Sequence, residues 1–313
     1  MPNVLDDYCV DCSCVSQISW AISRAGTTGE LLLQRRNVVY AALAATAIML
    51  PRHALAEFQI QEASIEKGET EFEYRGAYHW GVPGITANNP NANDLVQSHE
   101  LELQYSPTDW WLVQLTVELD QPLHEDFEAS GVEFETEFAL IKRKGDGAAL
   151  SFQVGYDQST IGEANVLAFG PILELAKGKL LFTFNPLFTD QVGPERETAG
   201  LGFDYGWRAE YDFAKHWGVG VEMFGEIEDL SHAGAFNQQN HSIGPTLFWH
   251  PGEKEEEGGD EESKEVKQGK EDNDNEKVAG ASEMELSFNV GVQFGLTDAT
   301  SDTALKFQGT ISF

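Results

Sequence analysis

The sequence predicts an all-β chain, a transmembrane antiparallel up-and-down β-barrel of about 12 strands. Three observations predict it. Apolar and polar residues alternate with period two in segment after segment from Glu71 to the final Phe313. The links between these segments alternate in length, short then long. Aromatic residues gather where such a barrel would meet the membrane surface.

The first 56 residues stand apart from this pattern. Arg35 and Arg36 precede the apolar run from Val38 to Leu50, and Ala54-Leu55-Ala56 follows, before the polar Glu57-Phe58-Gln59-Ile60-Gln61. A basic flank, a short apolar core and an A-x-A site form a secretory signal. The run is too short for a membrane helix, which needs ~20 residues. Residues 1–56 are therefore expected to be a prefix and signal peptide, cleaved after Ala56. Cys9, Cys12 and Cys14 all lie in that prefix, so no disulfide is expected in residues 57–313.

The strands follow in order. Phe72, Tyr74, Tyr78 and Trp80 share one face of the first segment, against Glu71, Glu73, Arg75 and His79. Leu101, Leu103 and Tyr105 oppose Glu100, Glu102 and Gln104. After the turn at Ser106–Asp109, Trp111, Val113, Leu115, Val117 and Leu119 oppose Gln114, Thr116 and Glu118. Val132, Phe134, Phe138 and Leu140 then oppose Glu133, Glu135 and Glu137. Eight further segments carry the same signal, near 148–157, 165–176, 180–190, 199–213, 217–229, 241–250, 283–295 and 304–313. Short links and longer loops alternate, the asymmetry of an outer-membrane barrel. The tract 251–282 breaks this rule. It is acidic and almost free of apolar residues, and is expected to be a disordered insertion on the short-link (periplasmic) side.

Alternation alone leaves the outward face open, because a soluble barrel would turn the glutamates to water. The tryptophans decide for lipid: Trp110, Trp111, Trp217 and Trp249 all fall at the short-link ends of their strands. The last segment carries Leu305, Phe307, Ile311 and Phe313 on one face. Here the chain resembles the Gram-negative outer-membrane β-barrel class, whose last strand ends in an aromatic residue recognised by the assembly machinery. The resemblance implies residence in the outer membrane, contact with its lipid and the β-barrel assembly machinery, and an assembly signal at Phe313. The hairpin Leu103-Gln-Tyr-Ser-Pro-Thr-Asp-Trp-Trp-Leu112 is also similar to hairpins of putative outer-membrane transporters grouped with phenol-degradation pathways.

The charge limits the partners. The formal net charge is −32 at pH 7, and the prefix, with four basic and four acidic residues, contributes none of it. Nucleic acid, which requires basic patches, is excluded as an expected partner. No nucleophile elbow, phosphate loop or zinc-protease helix occurs, so neither an enzyme nor a cofactor is expected. If the apolar face meets lipid, the lumen receives Glu71, Glu73, Glu100, Glu102, Glu118, Glu133, Glu135, Glu137, Asp204, Glu210, Asp212, Glu222, Glu226 and Glu285. Opposing them are Arg75, Arg208 and Lys306. This points to a narrow channel or transporter for small, polar or cationic solutes. The alternative is a closed structural or surface-binding barrel. His79, His99, His124, His232 and His241 fall near the long-loop ends and are candidates for metal capture at the mouth.

Overall fold

The computed structural model describes residues 58–313 apart from 87, 88, 90, 91, 197 and 251–283. The expected export signal, the three cysteines and the acidic tract lie outside the described residues. Twelve strands follow one another: β1 (Thr70–Trp80), β2 (Leu95–Thr108), β3 (Trp111–Pro122), β4 (Glu128–Ile141), β5 (Gly147–Ser159), β6 (Asn165–Lys177), β7 (Leu180–Val192), β8 (Gly202–Ala214), β9 (Trp217–Ile227), β10 (Asn240–Trp249), β11 (Glu285–Gly295) and β12 (Thr303–Ser312). Each pairs antiparallel with its neighbours in sequence, and β12 pairs with β1, which closes the barrel. Every strand coincides with a segment of period-two alternation. β2 exceeds its segment at both ends, and β8 starts a little later than the alternation suggests.

Closure explains the alternation that persists to the last residue. Thr70 and Phe313 exchange backbone hydrogen bonds, N–H to O at 2.9 Å in both directions. No edge is then left with unpaired donors, a requirement for any sheet in lipid. Besides register shifts in β2–β3, β3–β4, β4–β5 and β8–β9, the ladder has two gaps that contain proline. Between Phe169↔Phe188 and Leu173↔Phe184 the partners do not pair, and Pro171 and Pro186 lie in that gap. Pro245 lies in the gap between Ile243↔Phe294 and Thr246↔Gly291. Proline has no N–H to give, so these positions cannot carry a full ladder.

The side-chain distribution is inverted relative to a water-soluble protein. Among the described residues 36 polar or charged residues are buried against 13 hydrophobic ones, while Phe134, Leu140, Leu175 and Leu180 are each more than half exposed. A soluble fold buries the second kind and exposes the first. The opposite arrangement suits a barrel surrounded by lipid.

The outer face carries two matching joints. Tyr74 Oη lies 2.9 Å from His99 Nδ1, and Tyr205 Oη lies 3.0 Å from His241 Nδ1. Each histidine sits opposite a glycine in the ladder, His99 across from Gly76 and His241 across from Gly225. A Cβ on Gly76 would approach His99 Nδ1 to 2.7 Å, so glycine is what lets the ring lie flat there.

Candidate functional site

The lumen is the candidate site, and its chief feature is a strap that the alternation did not reveal. Residues 58–65 run inside the barrel, antiparallel to β1, before the chain turns at Gly68 (φ +87°). At the long-loop end, the Phe58 ring stacks on His79 with centroids 5.7 Å apart and meets Phe224 edge-on at 5.1 Å. Further down, Gln59 Nε2 donates to Glu102 Oε2 (3.1 Å) on β2. Asn185 on β7 clasps the backbone of Gln61, accepting from its N–H at 2.6 Å and donating to its carbonyl at 3.1 Å. The Gln61 side chain donates to Gln114 on β3 and Glu135 on β4. Glu62 is bound by Arg208 on β8, and the Ala63 N–H donates to Glu174 Oε1 (3.0 Å) on β6. Ala63 also joins Ala149 and Ile172 in a small apolar cluster. At the short-link end, Lys142 Nζ reaches the Ile65 carbonyl at 3.4 Å.

This hydrogen bonding to six strands has a physical reason. An extended strand cannot satisfy its own backbone groups, so inside a barrel it needs polar wall residues as partners. The wall supplies them because its inward positions are Glu, Gln, Asn and Arg. The strap divides the lumen into an outer cavity of about 270 Å³ and an inner one of about 320 Å³, with Gln61 lining both.

The bases are all engaged. Arg75 Nη1 donates to Glu73 Oε1 and Glu102 Oε2, each at 2.7 Å, and Arg75 also pairs with Glu100. Lys306 Nζ lies 2.5 Å from Glu222 Oε2, which also accepts from Thr246 Oγ1 at 2.6 Å. Arg208 pairs with Glu62 and, through Nε, with Glu210 at 3.5 Å. None of the three lines the outer cavity. There, nine carboxylates line the wall without a lysine or arginine.

The lumen candidates are thus distributed by height. Glu133, Glu135, Asp204 and Glu226 line the outer cavity. Glu71, Glu73, Glu137, Arg208, Glu210 and Asp212 line the inner one. Arg75, Glu100, Glu102, Glu118, Glu222 and Lys306 are buried in the wall and line neither. Glu285 shares the face of Asn289 and Gln293 but lies at the strand's end. As the first residue of β11 it is exposed at the barrel's short-link end. Asp120, Asp157 and Glu174 face inward as well, and the alternation of β3, β5 and β6 contains the signal that would have found them.

The five histidines do not form a mouth site. His79 faces inward beneath Phe58, whereas His99 and His241 lie on the outer face in the two tyrosine joints. His124 is in the β3–β4 loop, and His232 is exposed beside Asp229, its Nδ1 3.0 Å from Oδ2. The reason is parity. His99 and His241 each share a strand face with leucines, whereas His79 shares one with Glu73 and Arg75. Among the described residues, no three His, Cys, Asp or Glu side chains are grouped so as to hold a metal ion.

Comparison with known proteins supports the architecture. No protein-family model and no characterised relative matches the sequence. Among solved structures, an outer-membrane channel from Pseudomonas putida F1 is similar over 84% of this chain and 100% of its own, with a TM-score of 0.50 and 8% identity. The NanC porin has a TM-score of 0.43 and 10% identity, covering 77% of this chain and 98% of its own. The KdgM porin in complex with oligogalacturonate has 0.42 and 9%, covering 78% and 98%. At such identities the likeness is one of fold. The chain has the fold of an outer-membrane β-barrel channel.

Proposed function

We propose that this protein is an outer-membrane channel for small solutes, that it prefers cations, and that its N-terminal strap sets the width of the path. The observation that carries this reading is the outer cavity, with nine lining carboxylates and no lysine or arginine. An acidic, solvent-filled vestibule raises the local concentration of cations and repels anions, more strongly at low salt. Export by the leader, cleavage at Ala56 and assembly directed by Phe313 belong to the same proposal.

The test is a reversal-potential measurement on purified protein in a planar bilayer under a salt gradient. Cation preference that weakens as salt rises supports the reading, and anion preference refutes it. The strap favours a second reading, a barrel closed at rest. Comparing the whole chain with a variant lacking residues 58–65 separates the two. Conductance only after deletion would show that the strap closes the path, and no conductance in either would favour a closed structural barrel.

A further inference from the structure

We infer that the outer cavity is a binding site for a small organic ammonium ion with an apolar or aromatic portion. This deepens the channel reading, on which it rests, by naming the class of solute.

The cavity holds unused hydrogen-bond capacity. Asp204 on β8 lines the outer cavity, and neither of its carboxylate oxygens has a hydrogen-bond partner. Its neighbour in the ladder is Glu226, and Glu228 shares a small side pocket with both. A carboxylate in such company, shielded from water and without a donor, is costly, and a charged donor relieves that cost most directly.

Two neutral groups give an independent indication. Gln153 on β5 is 3% exposed and its Oε1 has no partner; Gln293 on β11 is 0% exposed and neither end of its amide has one. Both line the same cavity. Their strands are six apart in a ring of twelve, so they stand on opposite walls. Unmet acceptors therefore span the cavity from side to side. An unsatisfied buried amide is rare in a native protein and requires a partner.

The shape selects among cations. At ~30 Å³ per water, 270 Å³ holds about nine waters, room for a compact amine. Phe58, Phe224, Ile85 and Leu187 make part of the lining apolar. An aromatic face attracts an ammonium group and also covers an apolar substituent. A bare metal ion would leave those faces unused, and the described residues hold no metal-binding group of His, Cys, Asp and Glu. An anion would find no lysine or arginine.

The experiment is isothermal titration calorimetry on the purified barrel in detergent, with benzylamine as the probe and benzyl alcohol and benzoate as matched controls. Benzylammonium is expected to bind at least about tenfold more tightly than either control, the scale of one charge-assisted hydrogen bond. Asp204→Asn should remove most of that advantage while leaving benzyl alcohol unaffected, with folding checked by heat-dependent mobility in SDS. Should that variant fail to fold, Gln153→Leu tests the same cavity by removing one acceptor, and it should weaken benzylammonium by about threefold or more. Equal affinity for benzylamine and benzyl alcohol would overturn the inference, as would a folded variant that binds like the wild type. Calorimetry needs no conduction. A barrel that binds but does not conduct fails only the channel reading, and a cation-selective pore without binding fails only this one.

Discussion

Replacing Asn185 by leucine would release the strap with the least disturbance of the wall. The side chains are close in size, so the inward position on β7 stays filled. What disappears is the pair of hydrogen bonds that clasp Gln61, one from its N–H at 2.6 Å and one to its carbonyl at 3.1 Å. Each contributes about 0.5–1.5 kcal/mol net, so the pair is worth about 1–3 kcal/mol. That shifts the balance between docked and released strap by roughly 5- to 150-fold. Hydrogen-exchange mass spectrometry in detergent reads the change directly, as faster exchange in peptides covering residues 58–66. Asn289→Leu is the control. Asn289 also faces inward, but its side chain donates to Gln308 on β12 rather than to the strap. Exchange in 58–66 that is unchanged by Asn185→Leu, or equally accelerated by both variants, would mean that the Asn185 clasp does not hold the strap.

Three further outcomes follow from the geometry. Arg75→Met should destabilise the barrel by about 3–5 kcal/mol, seen as a lower temperature for loss of the folded band in SDS, because it strands the buried carboxylates of Glu73, Glu100 and Glu102. Gly225→Ala should cost about 1–3 kcal/mol in the same assay, since the added methyl would overlap the rings of His241 and Tyr205; a stability equal to wild type would remove the joint from the account. His250, just beyond β10, should titrate above the usual histidine range in an NMR pH series. The hydrogen bond to Glu210 raises its pKa, against the opposing effect of burial. Its contribution to stability is then complete below ~6.5 and lost as pH rises through the higher folded value, and His250→Gln should abolish that dependence.

The fold was legible because a barrel wall is a one-dimensional code. Each strand must alternate, each link must turn, and the last strand must meet the first, so period, link length and the aromatic ends of Trp111 and Phe313 suffice. Exact strand ends were less legible. The alternation around Leu101–Tyr105 does not say that β2 extends to Leu95, since the inter-strand bonds beyond Ser98 depend on how far Pro122 and Gln121 of β3 reach. The strap was not legible at all. Phe58–Ile65 resembles a short polar connector, and its extended course is imposed by partners such as Asn185 and Glu174, more than a hundred residues away in sequence.

The candidate site was legible in face but not in height. Alternation assigns Glu133, Asp204 and Glu226 to the inside together with Arg75, Arg208 and Lys306, as one pool of charge. Height along the barrel depends on strand stagger, which the pattern does not contain. In the folded chain Arg75 is taken up by Glu73, Glu100 and Glu102, Arg208 by Glu62 and Glu210, and Lys306 by Glu222. Their guanidinium and ammonium groups are thereby fixed away from the outer cavity. Because one of these pairs includes Glu62 of the strap, docking the strap consumes positive charge that could otherwise offset the lumen acids. Releasing it would free Arg208 toward the inner cavity that it already lines. Release of the strap would therefore make the inner end of the lumen less acidic, while the outer end, which no lysine or arginine lines, would stay as acidic as before.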